Sequence, residues 1–318
     1  MRNLTRVPIK VTKYGNEIAS IGKTYTLTER RRTIIIQFMN TDKETTKLIA
    51  FDLDDTLLDT QKNLPEKNRE ALLQADEKGV ILVPATGRFF LGMPEALLAM
   101  SCIRYAITAN GALVYDRAED RVIAQALLTP ARAREIMEYL DGFDVVYDCY
   151  IGNEAFMSAD MRERCREYAP AGFYRDRLYN GRKPVDDLKE YILERGEEIS
   201  KVQLYARYPE ERDVIMLTMP VRFPDTAVSS SVVNNVEIND RHATKGQALL
   251  SLAAALDIPV SRTAAIGDGL NDVTMIAASG CGIAMENACK EVKEAARFET
   301  KSCDRAGFAY ALDHILSV

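Results

Sequence analysis

What the 318-residue chain lacks narrows its chemistry first. No apolar run approaches the roughly 20 residues that cross a bilayer, and the start has no signal-peptide-like apolar segment. Neither a membrane span nor export is therefore expected. Positive charge is not in excess: the net charge is −6, which argues against a general binder of phosphate backbones but leaves room for one local anion site. The cysteines (Cys102, Cys149, Cys165, Cys281, Cys289, Cys303) are scattered and form no C-x-x-C pair, so they read as reduced, mostly buried thiols. Histidine is nearly absent. His242, three residues before Lys245, reads as a surface or capping residue, and His314 in a terminal amphipathic helix is assigned nothing. What is present, 47% hydrophobic and 28% charged residues, suits a globular protein long enough for two domains. The expectation is a cytoplasmic protein, a monomer or weak homo-oligomer, with neither nucleic acid nor membrane as partner.

Residues 1–46 differ from the rest. They are polar and basic, with a β-branched run at Ile34 to Ile36 that offers an edge strand. Met39 begins a natural lead into the apolar run at Leu48, so an extension with a start at Met39 is one expectation. From Leu48 the chain reads strand, helix, strand, helix. Leu48 to Phe51 is an apolar strand, and Pro65-Glu66 opens a helix to about Lys78. Val80 to Val83 is a second strand, a helix runs through Met93 to Met100, and Tyr105 to Thr108 is a third strand. Such βα units imply a parallel sheet with right-handed crossovers and ligands beyond the carboxyl ends of its strands. Hairpins and mixed elements then replace that rhythm, with a loop expected at 170–184, until it resumes at Val236 to Ile238. The reading is a Rossmann-like α/β core (47–125 and 234–318) with an α+β cap inserted at 126–233.

Four polar clusters fall at strand ends or a helix start of the core: Asp52 with Asp54, Thr86, Lys245, and Asp268 with Asp272. Each alone has a plain explanation. A bare D-x-D can be a solvated acidic turn, Thr86-Gly87 a turn, and Lys245 a solvated side chain. Gly267-Asp-Gly-Leu-Asn-Asp272 can be a capped loop, and its spacing departs from a dinucleotide-binding G-x-G-x-x-G at Asp272. Together they supply a carboxylate nucleophile, a second carboxylate for acid–base work, a hydroxyl and an ammonium for phosphate oxygens, and further carboxylates for metal. Close carboxylates raise one another's pKa unless a cation neutralises them, and Mg2+ takes such oxygen ligands.

The combination resembles the haloacid dehalogenase superfamily of phosphohydrolases, in its Cof-type branch. The likeness is carried by Asp52-Leu-Asp54-Asp-Thr56, Ala85-Thr86-Gly87-Arg88, Lys245-Gly246 and Gly267-Asp268-Gly-Leu-Asn271-Asp272. Asn110-Gly111 and Ala284-Met285-Glu-Asn287-Ala288 also look like that branch, as does the place of the insert. Asp55 stands where glycine is common and Glu286 where a small residue is usual. The first 46 residues have no counterpart.

The resemblance implies a Mg2+-dependent phosphatase acting on a small phosphorylated metabolite, such as a sugar phosphate or phosphorylated cofactor. By that likeness Asp52 attacks phosphorus and Asp54 is the acid and base. Thr86, Gly87, Asn110, Lys245 and Asn271 hold substrate, and Asp52, Asp54 (through its backbone carbonyl), Asp268 and Asp272 hold metal. A phosphotransferase or mutase on the same scaffold is an alternative, as is a non-catalytic phosphate-binding regulator. In the insert, Tyr147, Tyr150, Arg175 and Arg182 could meet an anionic substrate, but a solvated loop explains the arginines equally well.

Overall fold

A computed structural model describes residues 12–13, 16–17, 29–30, 33–34, 45–168, 173–232 and 234–317. The chain forms two compact units, Met1–Glu44 and Thr45–Val318. In the first, Thr12–Lys13 pairs antiparallel with Asn16–Glu17, and Glu29–Arg30 with Thr33–Ile34. Of the edge strand expected at 34–36, residues 35–36 lie outside the described residues, as does Met39.

The second unit opens with β1 (Leu48–Phe51), α1 (Glu66–Glu77), β2 (Ile81–Pro84), α2 (Glu95–Leu98) and β3 (Tyr105–Thr108). β1 is buried throughout because both faces of its sheet are covered. Ile49 and Phe51 pack to one side with Leu72, Leu82 and Phe308, while Leu48 and Ala50 pack to the other with Val83, Leu249 and Met275. β3 turns back into β4 (Leu113–Asp116) and β5 (Arg121–Gln125), an antiparallel meander. A parallel bridge from Ala85 to Ile107 ties this meander to β2. The helix expected through Met93–Met100 is only the short α2, because Pro94 starts it one residue before Glu95 and the chain leaves helical pairing after Leu98.

The insert contains α3 (Pro130–Leu140), β6 (Val145–Ile151), β7 (Glu154–Ser158), α4 (Ala159–Arg164), α5 (Phe173–Asn180) and β8 (Lys183–Val185). It continues with α6 (Leu188–Arg195), β9 (Lys201–Ala206), α7 (Pro209–Arg222), β10 (Thr226–Ser229) and β11 (Asn235–Asp240). Part of the loop expected at 170–184 is thus the helix α5, and residues 169–172 lie outside the described residues. A six-stranded sheet runs in the order β8-β7-β6-β9-β11-β10, antiparallel except for β7 with β8. One face packs on α3, α6 and α7 through Ile136, Leu188, Ile192, Leu204, Ile215 and Ile238.

One boundary is corrected. Val236 to Ile238 does not resume the core: β11 pairs with β9 and β10 in the insert's sheet, with Val202 opposite Ile238. The return to the core comes at residues 241–244, not at 234. From there run α8 (Lys245–Ala255), β12 (Thr263–Gly267), α9 (Val273–Ala278), β13 (Cys281–Ala284), α10 (Lys290–Ala295), β14 (Phe298–Glu299) and α11 (Gly307–Ser317). The parallel sheet has the order β14-β13-β12-β1-β2, so β1 and β12 lie side by side at its centre. The fold is the expected Rossmann-like core with an inserted α+β cap. Among the described residues no helix is long and apolar enough to cross a membrane.

Candidate active site

Adjacent parallel strands deliver two acids to one place. Phe51 and Ile266 are register partners, so Asp52 leaves β1 beside the point where Asp268 leaves β12, and Asp52 N donates to Ile266 O at 3.0 Å. After Asp52 the chain makes one wide, irregular turn, Leu53–Leu57, anchored by buried Leu53, Leu57 and Leu58. Asp55 lies in this turn at φ 63, a left-handed conformation that favours glycine and is tolerated by Asp and Asn. That accounts for an aspartate standing where glycine is common. Lys62, 2.8 Å from the Asp55 carboxylate, then neutralises it.

Lys245 is the first residue of α8, where the Thr244 hydroxyl caps the helix by accepting from Gln247 N at 3.1 Å. Its ammonium is wholly buried and lies 2.6 Å from both Asp52 Oδ1 and Asp272 Oδ1. Asp272 Oδ2 accepts from the Asp268 and Gly269 backbone N–H groups, each at 2.9 Å. Both its oxygens are thereby engaged in holding Lys245 and the loop. Across the site, Thr56 Oγ1 donates to Asp268 Oδ1 at 2.6 Å.

Carboxylate atoms of Asp52, Asp268 and Asp272 lie within 4.8 Å of one another, against the single ammonium of Lys245. The imbalance shows in their proton affinities. Burial, with the charges of Asp272 and Asp54, raises Asp52 to about 7 even though Lys245 pulls it down. Asp268 is also held well above the usual carboxylate range, by burial first and then by Asp52 and Asp272. Lys245 is raised because its two carboxylate partners outweigh the burial of its charge. A buried, oxygen-only set with surplus negative charge suits a hard divalent cation, and these three residues could hold one.

Asp54 is placed differently. Its carboxylate accepts from Arg88 Nε at 2.8 Å and lies 3.9 Å from Lys62 Nζ. It lines a cleft together with Asp52, Thr86, Gly87, Asp268 and Asn271. Among the expected residues Lys245, Asp272 and Asn110 do not line it. Lys245 acts on the cleft through Asp52. Asn110 is 4% exposed, with its side chain engaged by Glu237, Asn239 and Asn271. His242 and His314 are exposed and lie elsewhere.

The opposite wall comes from the cap: Tyr150, Arg182, Lys201, Gln203, Tyr205 and Glu237. Of the aromatic and arginine residues noted in the sequence, Tyr150 and Arg182 are there, whereas Tyr147 is bonded to Asp141 at 2.8 Å within the cap. Lys201, Gln203 and Glu237 were missed. Their signal is the alternation in Lys201-Val-Gln-Leu-Tyr-Ala206 and Asn235-Val-Glu-Ile-Asn239, where every second residue is polar although both stretches are buried.

Known proteins are similar to this chain over most of its length. A family profile described as haloacid dehalogenase-like hydrolase matches residues 49–312. Phosphatase YwpJ of Bacillus subtilis is 30% identical over 297 residues, covering 85% of this chain and 100% of that protein. The 5-amino-6-(5-phospho-D-ribitylamino)uracil phosphatase YwtE of the same organism is also 30% identical, covering 85% and 98%. A solved haloacid dehalogenase-like hydrolase from B. subtilis superposes with a TM-score of 0.74 at 28% identity, covering 84% of this chain and 99% of that one.

Proposed function

We propose, from the premise that this chain belongs to the haloacid dehalogenase-like hydrolases and is a phosphatase, that it hydrolyses a small phosphorylated metabolite in the cytoplasm through an aspartyl-phosphate on Asp52. The observation that carries the reading is the buried Lys245 ammonium, 2.6 Å from Asp52 and from Asp272, with Asp268 across from them. It keeps one carboxylate oxygen of Asp52 oriented and lowers that group's affinity for a proton.

In the first step an Asp52 oxygen forms a bond to phosphorus while the bond to the leaving oxygen breaks. Asp54, held over the cleft by Arg88, gives that oxygen its proton. In the second step Asp54 takes a proton from water, whose oxygen attacks phosphorus and restores the Asp52 carboxylate. The sum is ester plus water to alcohol plus phosphate. The Thr86 hydroxyl, the Gly87 backbone and the Asn271 amide are the groups on the cleft suited to the phosphoryl oxygens. Asn110 serves by placing Asn271.

Asp52, Asp268 and the Asp54 backbone carbonyl would hold Mg2+, with Asp272 steadying Lys245 and the loop. When bound, Mg2+ neutralises carboxylate and phosphoryl charge. The test is inorganic phosphate release from a panel of phosphorylated metabolites with Mg2+ supplied. Transfer of the phosphoryl group to a second metabolite without phosphate release would replace hydrolysis by phosphotransfer.

A further inference from the structure

Strand β11 is the last element of the cap, and only residues 241–244 separate it from Lys245. Val236 and Ile238 face the cap core, and Asn235, Glu237 and Asn239 face the other way. The last three are polar yet buried, which is tolerated where their groups are hydrogen-bonded. Much of that bonding reaches into the catalytic core. Glu237 Oε2 accepts from Asn110 Nδ2 at 2.6 Å, and Asn239 Nδ2 donates to Ala109 O at 2.9 Å. From the neighbouring β9, Lys201 Nζ donates to Gly87 O at 2.6 Å and to Glu237 Oε1 at 3.1 Å. A Cβ on Gly87 would lie 2.9 Å from Asn110 Oδ1 and 3.3 Å from Glu237 Oε2, so cap carboxylate and both core loops meet with no space between them.

These contacts hold a turn that is costly by itself. Ala109 at φ 48 and Asn110 at φ 61 are consecutive non-glycine residues in the left-handed region. Such backbone persists only where its surroundings enforce it. The turn aims Asn110 Oδ1 at Asn271 Nδ2, 3.1 Å away, and Asn271 lines the cleft. The other contact, Gly87 O, lies one residue after Thr86, which also lines it.

We propose that Glu237 and Lys201 are positioning residues: docking of the cap, through this pair, sets the Thr86-Gly87 loop and the Asn110–Asn271 contact into their phosphate-holding arrangement. The inference rests on the phosphatase reading of the site. The cap then completes the phosphate site as well as covering it, and a substrate too small to touch the cap still depends on the pair.

The test compares acetyl phosphate, whose leaving group is two carbons long, with glucose 6-phosphate. The variant is Lys201→Met with Glu237→Gln, which removes both charges so that neither is left buried and unpaired. Misplacing a reacting group by about 1 Å costs on the order of 100-fold, so kcat should fall by about 10- to 100-fold, equally on both substrates. Glu237→Asp keeps the charge with a shorter reach and gives a smaller loss, again equal on both, which decides the matter if the double variant folds poorly. A loss confined to glucose 6-phosphate would make the pair a leaving-group contact and overturn the proposal, as would no loss at all. Asp52→Asn, assayed alongside, reports on the phosphatase reading separately, because its turnover does not depend on what Glu237 does.

Discussion

Replacing Lys245 by Met removes one charge while nearly preserving volume, at a position with no exposure to solvent. Two carboxylates lose their shared partner at 2.6 Å, and Asp272 retains only its two backbone donors. Breaking a buried ion pair from one side costs about 3–5 kcal/mol. For a domain of this size each kcal/mol moves Tm by about 2–4 °C, so Lys245→Met should melt roughly 6–20 °C below the parent at neutral pH. The sign of its pH dependence follows from Asp52. Lys245 is the strongest influence lowering that group, which stands at about 7 even with the lysine present. Without it the folded-state pKa rises further, so in metal-free protein the Asp52 part of the penalty is absent below about pH 7, where the group is protonated in both folded proteins, and grows as pH rises above that. With that charge gone Asp52 holds its proton more tightly and attacks less readily at neutral pH. Turnover should fall by about 100- to 1,000-fold, as for loss of a preorganised electrostatic group, with the remaining activity shifted to alkaline pH. Calorimetry on metal-stripped protein reads the first effect, and a pH–rate profile with Mg2+ supplied reads the second. A variant that melts with the parent and turns over within a few-fold of it would refute the role of Lys245.

The same charge balance predicts a response to chelation. In stripped protein the raised pKa of Asp52 makes stability decline as pH rises from about 4 to 7, whereas a bound cation keeps Asp52 ionised. The Tm gap between Mg2+ and EDTA samples should therefore widen between about pH 5 and pH 8, and a constant gap would count against these ligands. Turnover should stop in EDTA and return with Mg2+, while the larger Ca2+ should restore little. Gly246→Ala would place its Cβ 2.4 Å from Thr274 O, shifting α8 and Lys245 with it. A cost of about 1–3 kcal/mol by melting, with weakened turnover, is expected. If the cap moves as a lid, a phosphate analogue should slow hydrogen exchange at residues 126–129 and 241–244, where the chain passes between cap and core. Unchanged exchange there would argue for a fixed cap.

The core was legible because its periodicity is local. A four-residue apolar run ending in acid, as at Leu48–Asp52, has few readings in a βα series, and parallel strands put Asp52 and Asp268 together once both are placed. Helix α1 needed only Pro65 and the apolar spacing of Leu72 and Ala75. Less legible was anything decided by tertiary pairing. Val236-Glu-Ile238 has the same apolar–polar pattern whether it joins the core or the cap, and only its register with Val202–Leu204 assigns it to the cap. Asn110 resembles a substrate ligand by motif, yet its amide is used between two loops because Glu237 lies 2.6 Å away, a proximity across 127 residues of chain. Lys201 and Gln203 are hidden for a similar reason: polar residues alternating in a strand ordinarily face solvent, and here Lys201 reaches Gly87 of the core while Gln203 is bonded to Asp148 within the cap.

The covalent intermediate on Asp52 is the centre of the account and can be weighed directly. Asp54→Asn keeps the nucleophile and the backbone carbonyl, loses proton transfer and gives up the charge pairing with Arg88 and Lys62, so turnover should drop by about 100- to 10,000-fold. With p-nitrophenyl phosphate, whose leaving group needs little protonation, the first step suffers less than the second and phosphoenzyme accumulates. Acid quench and then peptide mass spectrometry should show one phosphate-sized increase, on the peptide containing Asp52, and none when Asp52→Asn is added. A trapped phosphate on any other residue, or undiminished turnover by Asp52→Asn, would contradict the mechanism.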